Sequence, residues 1–296
     1  MTLHQSVSVT VLLVLTGSFA GAQETMQVTE VTATVLVFAT SGGNVVASVG
    51  PDGAFLIGTP SAASTEKISS TLASRTKNAL RYVVISPEET ADSEGDAGWA
   101  KRGAFVAMQE KALERLGGHK MGPPKPLPPR LIELGVDRPR VAFSEVVTFD
   151  VNGDAVHVVH QSPGYSNADA IAHFHAANLF YFGEVFPGDG YPNIDPQMGG
   201  NLDGFSKTLS PWTDSERHIV PARGSITNGT ELKAFLDMLA AVRASVQAMI
   251  TSGRSESEVV SAHPTKEFDA KWGHGRVNPD SFVTSVYRAL KTESAK

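Results

Sequence analysis

Between residues 31 and 58 the chain alternates short apolar runs with turn residues. VTATVLVFA (Val31–Ala39), NVVASVG (Asn44–Gly50) and AFLIG (Ala54–Gly58) are too short for stable helices and rich in β-branched residues. That pattern predicts three strands. Their separators, SGG and Pro51-Asp52-Gly53, are turn sequences, so the strands read as a meander. Ser64–Lys77 predicts the first helix and Leu80–Ile85 the next strand. In Gly98–Leu116 the spacing of Val106, Leu113 and Leu116 suits a helix, while GAFVAM suits a short strand equally well.

The second half repeats the theme. VAFSEVVTFD, AVHVVHQ, DAIAHFH and NLFYFGE predict four strands. Asn152-Gly153 joins the first two as a tight hairpin, and Ala176-Ala177 joins the last two. The strongest helical period runs from Thr230 to Ser252, where Leu232, Phe235, Leu236, Leu239, Val242, Val246, Met249 and Ile250 form one stripe. Asn228 with Glu231 predicts a capping box, and Gly253 a stop. A short helix follows from Ser255, ended by Pro264, and a last one covers Pro279–Leu290. Between the halves lies MGPPKPLPP (Met121–Pro129), an extended connector. Strands then helix, twice over, predict two sheets inside and helices outside.

Composition adds bounds. Of 296 residues, 41% are hydrophobic and 19% charged, enough for a sizeable core. The net charge of −6, with no basic block, excludes nucleic acid as a main partner. There is no cysteine, so disulfides, thiolate metal sites and a cysteine nucleophile are excluded. Val7–Leu15 (VSVTVLLVL) is too short to span a bilayer and precedes Ala20-Gly21-Ala22, a small-x-small cleavage pattern. Residues 1–22 therefore read as a signal peptide and 23–296 as one exported domain, periplasmic or extracellular, with no membrane span.

One stretch carries candidate chemistry. After the strand at Leu80–Ile85, five carboxylates fall between Glu88 and Asp96 with no histidine among them. Elsewhere His173 and His175 share one strand face, while His157 and His160 point to opposite faces. These histidines read as a solvated outer face and His274 as part of a surface turn. No G-x-S-x-G supports a serine nucleophile.

Several segments in order carry a resemblance: SGGNVVASVGPDGAFLIGT, then VVHQSPGYSNADAIAHFHAANLFYFGEVFPGDGYPNID, then MGGNLDGF, IVPARGSITNGTELKAFLDML and SESEVVSAHPTKEFDAKWG. Together they resemble the metallo-β-lactamase-fold superfamily, in particular its secreted zinc hydrolases related to glyoxalase II. The resemblance implies a four-layer αββα sandwich. It also implies two zinc ions, held by an H-x-H-x-D-H loop, a later His, a bridging Asp and a final His.

The residues of this chain depart from that pattern at each of those positions. Pro87, Glu89, Ala91 and Asp92 stand in the loop, Tyr165 at the third His, Glu184 at the bridging Asp and Arg223 at the final His. Gly58 replaces an early Asp. No zinc ligand therefore carries over, and no cofactor is expected. A permanent guanidinium cation at Arg223 opposes a dication: two unit charges 4 Å apart interact by roughly 4 kcal/mol at an effective dielectric near 20. The expectation is an ion pair of Arg223 with Glu184 or Asp92 in place of metal. The chain then reads as a binding protein or pseudoenzyme, taking a small anionic or carbonyl ligand at Arg223 and open to homo- or hetero-oligomers.

Two alternatives remain. Glu89, Asp92, Glu184 and Tyr165 are oxygen donors suited to a hard divalent cation. A hydrolase of esters, lactones or related substrates would use Glu89 or Asp92 as general base, Tyr165 as proton donor and Arg223 as oxyanion stabiliser.

Overall fold

The computed structural model describes residues 26–58, 62–85, 98–99, 101–115, 140–194, 196–214 and 216–293. The leader-like run, the acidic stretch and the proline-rich connector lie outside the described residues, as do Glu89 and Asp92.

Among the described residues twelve strands form two sheets. The first holds β1 (Gln27–Glu30), β2 (Val35–Ala39), β3 (Asn44–Gly50), β4 (Gly53–Ile57), β5 (Leu80–Val84), β6 (Phe105–Gln109) and β7 (Arg140–Phe143), in that spatial order. β1 to β4 pair antiparallel, as tight turns allow. β4 to β7 pair parallel. Parallel neighbours need crossovers, and α1 (Ala62–Arg75) supplies the one between β4 and β5. The first six residues of β3 are all buried, which is why its sequence shows an apolar run rather than alternation. Ile68 and Leu72 of α1, with Leu113 of α2 (Glu110–Arg115), join Leu36, Phe38, Leu56 and Val83 in one core.

The second sheet runs β12 (His218–Pro221), β11 (Leu179–Gly183), β10 (Ala170–Phe174), β9 (Asp154–His160) and β8 (Val146–Val151). α3 (Leu202–Leu209), α4 (Gly229–Thr251), α5 (Glu256–Ser261), α6 (Asp269–Trp272) and α7 (Pro279–Glu293) complete the chain. Phe235 of α4 is the hub of the second core, edge-on to Phe186, Phe205 and Trp272. Of the described helices α4 alone is long and apolar enough to cross a bilayer, yet Leu232, Phe235, Leu239, Val242 and Val246 are buried in this core.

The described chain divides into two compact units. One runs through Phe143 and adds Val147–His157 and His173–Asn178; the other comprises Ser144–Val146, Val158–Ala172 and everything from Leu179. Within the first, two turns are cross-locked. The Asn152 side chain accepts from Asp52 N at 3.0 Å and donates to Gly53 O at 3.0 Å and Ser48 Oγ at 3.1 Å. Asp52 Oδ2 accepts from Asn152 N in return, at 2.8 Å.

Several predicted elements differ. Val31–Ala39 is not one strand: Thr32 Oγ1 accepts from Val35 N at 3.0 Å, and this local turn ends β1 before β2 begins. VAFSEVVTFD breaks at Ser144-Glu145, and its halves join different sheets as β7 and β8. Of the two readings of Gly98–Leu116, the strand holds for Phe105–Gln109, and a helix follows as Glu110–Arg115. Asn228 caps α4 by accepting from Thr230 N, but Glu231 takes Lys271 instead of closing a box. The reciprocal box forms at Ser255 and Glu258 of α5.

Candidate functional site

β11 and β12 are adjacent and parallel, paired from Leu179↔His218 to Gly183↔Pro221 with a register shift between Tyr181 and Gly183. Their carboxyl ends therefore lie side by side, the usual place for sites in such sheets. Glu184 leaves the end of β11, and Ala222-Arg223 leaves the end of β12. Backbone hydrogen bonds hold the two exits together: Ala222 N donates to Phe186 O and Arg223 N to Pro187 O, both at 3.0 Å. Gly188 has φ 84°, and a Cβ there would lie 2.3 Å from Arg223 O, so only glycine fits against this exit.

Glu184 and Arg223, which are 39 residues apart, meet here. Arg223 Nη1 donates to Glu184 Oε1, and Nη2 donates to Oε2 at 2.6 Å. This is the bidentate fork in which a guanidinium matches a carboxylate best. Arg223 Nε faces a third residue, Asp189 Oδ1, at 3.3 Å. The Arg223 and Glu184 side chains are only 11% and 13% exposed, whereas Asp189 is 40% exposed. Burial opposes the Arg223 cation, but hydrogen bonds and charge from Glu184, then Asp189, outweigh it and hold its pKa above the usual arginine value.

Tyr165 lies in the same compact unit, in the loop between β9 and β10, and is buried in the hydrophobic core that also holds Phe182, Phe186 and Phe205. Asp169 sets that loop. Its Oδ2 accepts from Gly164 N and Tyr165 N, and its Oδ1 from Ser166 N, each at 2.8 Å. Ser166 Oγ adds a fourth bond at 2.9 Å. Burial pushes the Asp169 carboxyl up to about 6, against the lowering effect of these donors.

The two-zinc centre implied by the resemblance does not fit these residues. Glu184, the residue read at its bridging carboxylate, is held on both oxygens by a guanidinium, and that guanidinium belongs to Arg223, the residue read at its last imidazole. Among the described residues no group of three or more His, Asp or Glu is disposed to hold a metal ion. His173, His175 and His157 do gather on one strand face, with ring centroids 5.0 and 6.4 Å apart. His160 is separate, its Nε2 at 3.1 Å from Asn167 O. His274 is exposed, as a surface turn predicts.

Asp189 and Asp169 were not candidates from sequence. Asp189 sits in a Gly-Asp-Gly turn that looks like any other turn, and its partner lies 34 residues on. Asp169 had a local signal: an aspartate placed to accept from the preceding loop residues.

Solved structures with a similar fold include a metallo-β-lactamase from Pontibacter korlensis, 15% identical, with a TM-score of 0.55 over 73% of this chain and 99% of that one. The metallo-β-lactamase DIM-1 is 14% identical, with a TM-score of 0.53 over 73% of this chain and 97% of that one. The sec-alkylsulfatase Pisa1 from Pseudomonas sp. is 16% identical, with a TM-score of 0.60 over 88% of this chain and 49% of that one. At these identities the likeness shows the fold, and the chain has the metallo-β-lactamase fold expected from its sequence. No protein-family model matches the chain, and neither does any curated protein.

Proposed function

We propose that this chain is a metallo-β-lactamase-fold protein that works without the superfamily's zinc centre, as a binding protein or pseudoenzyme. The observation that carries this reading is the bidentate Arg223–Glu184 pair at the ends of β11 and β12. The pair supplies internally the positive charge that a metal would otherwise bring. The binding surface we propose is built from Glu184, Asp189 and Arg223. Three guanidinium nitrogens already face carboxylate oxygens, so Arg223 has little left to offer the anionic ligand expected from it alone, and we read the ligand as a small molecule with N–H donors for Glu184 and Asp189. We also read residues 1–22 as an export leader, placing the mature protein outside the cytoplasm.

Metal analysis of the full-length protein, expressed with zinc in the medium, tests the reading. With His173 and His175 both changed to Gln, the expected zinc content is far below one per chain. Stoichiometric zinc that persists when His173 and His175 are both changed to Gln would overturn it. A panel of esters, lactones, β-lactams and phosphodiesters tests the hydrolase alternative. Turnover abolished by Glu184→Gln with the fold intact would establish catalysis there; no turnover agrees with a binding role.

A further inference from the structure

A second place in the molecule has chemistry of its own. His157 lies on β9, His173 on β10 and His175 just beyond its end. Val156, Val158 and Phe174, the alternating neighbours, are fully buried, so the three imidazoles occupy the opposite face. His175 is exposed and the other two are half-buried, so solvent reaches the group.

One of the three ring separations is that of a chelate. An imidazole nitrogen binds a transition metal at about 2.0–2.1 Å, which puts the centroids of two such rings on a tetrahedral ion about 5 Å apart. His173 and His175 stand at 5.0 Å. His157 is 6.4 Å from each, about one ångström too far as it stands. That gap agrees with the absence of a closed three-residue metal group among the described residues. Rotation of the His173 and His175 side chains, both open to solvent, is what closes it. Thr148 Oγ1 already lies 2.9 Å from His157 Nδ1, which fixes that ring and leaves Nε2 as its metal-facing atom. An imidazole that keeps a protein partner on one nitrogen still offers the other.

We propose that His173 and His175, closed by His157, form a binding site for a borderline divalent transition-metal ion, with Cu²⁺ bound most tightly and Zn²⁺ less so. All-imidazole ligation suits these ions and not Mg²⁺ or Ca²⁺. The site is independent of Glu184 and Arg223, and it stands whether or not the reading of those residues does.

The test is titration of the metal-free full-length protein with Cu²⁺ alone, followed by calorimetry and by electron paramagnetic resonance. The expected result is one ion per chain with nitrogen hyperfine structure. His175→Gln weakens binding roughly 10-fold or more, while Glu184→Gln leaves it unchanged. The double variant His173→Gln/His175→Gln abolishes it. Wild-type binding no tighter than that of the double variant would overturn the site. So would binding that Glu184→Gln removes and the double variant retains; that result would also overturn the zinc-free reading. Stoichiometric zinc lost only in the double variant supports the histidine site and leaves the zinc-free reading intact.

Discussion

The Arg223 guanidinium meets the Glu184 carboxylate edge to edge, one terminal nitrogen to each oxygen. Both side chains are nearly out of solvent, at 11% and 13% exposed. Burial makes each charge dependent on the other: an ionised carboxylate or guanidinium taken out of water is tolerable only when paired.

Arg223→Ala takes the guanidinium from the buried Glu184 carboxylate, and the expected loss of stability is about 3–5 kcal/mol, the range for breaking a buried pair. The double change Arg223→Met/Glu184→Leu removes both charges and costs far less. Urea unfolding of the three proteins checks this. A single-variant loss below about 1 kcal/mol, the level of an exposed pair, would show that solvent screens the interaction.

Asp169 gives a pH prediction. Its folded pKa of about 6 lies above the usual 3.8, so between those values the native state holds a proton that the unfolded state has released. Its contribution is fully present below pH 3.8 and is lost as pH rises through 6, by on the order of 3 kcal/mol in total. Glu256 and Glu258 act oppositely, their pKa values being lowered chiefly by hydrogen bonds from Arg288 and Ser255 respectively. Stability measured from pH 4 to 7 should therefore show a steeper upward trend with pH in Asp169→Asn than in the wild type. Parallel curves would refute the assignment.

Asn152 holds two turns together with three side-chain hydrogen bonds while sitting at φ 54°, a left-handed conformation that asparagine tolerates better than alanine. Asn152→Ala is expected to cost about 2–4 kcal/mol, from lost hydrogen bonds and backbone strain together. Asn152→Gly relieves the strain but not the lost bonds, so its melting temperature should fall between those of Ala and wild type. Equal melting temperatures for Ala and Gly would mean that strain plays no part.

Gly190 follows Asp189 and packs backbone to backbone on Gly275; an added Cβ would lie 2.6 Å from Gly275 Cα. Tyr191 N donates to Trp272 O at 3.1 Å beside it, so neither strand of chain can move aside freely. Gly190→Ala should therefore destabilise the protein by about 1–3 kcal/mol, the cost of overpacking a close contact. A thermal melt within error of wild type would show that the turn carrying His274 yields at no cost.

Local signals determined much of this fold. The period of Leu232, Phe235, Leu239, Val242 and Val246 predicted α4 almost to its ends, because one stripe must face the core. Asn152-Gly153 predicted a hairpin turn through its backbone preferences alone. Where neighbouring tendencies were equal, sequence was silent: nothing in VAFSEVVTFD says that its two halves serve different sheets. Strand propensity is satisfied either way, and only pairing with distant chain decides between them. β12 went unassigned because its four residues are too few to show a period.

The site divides in the same way. The sequence by itself placed Arg223 at a position where the resemblance implies a metal ligand, and a permanent cation there would need a carboxylate. It offered two partners, Glu184 and Asp92, and Asp92 lies outside the described residues. Tertiary structure alone brought Glu184 onto Arg223, because β11 and β12 run parallel and release their next residues side by side. It also added Asp189 and gathered His157 with His173 and His175. Residue types fix what a side chain can bind. Which charges and rings meet is set by strand register, to which residues far apart in the chain contribute equally.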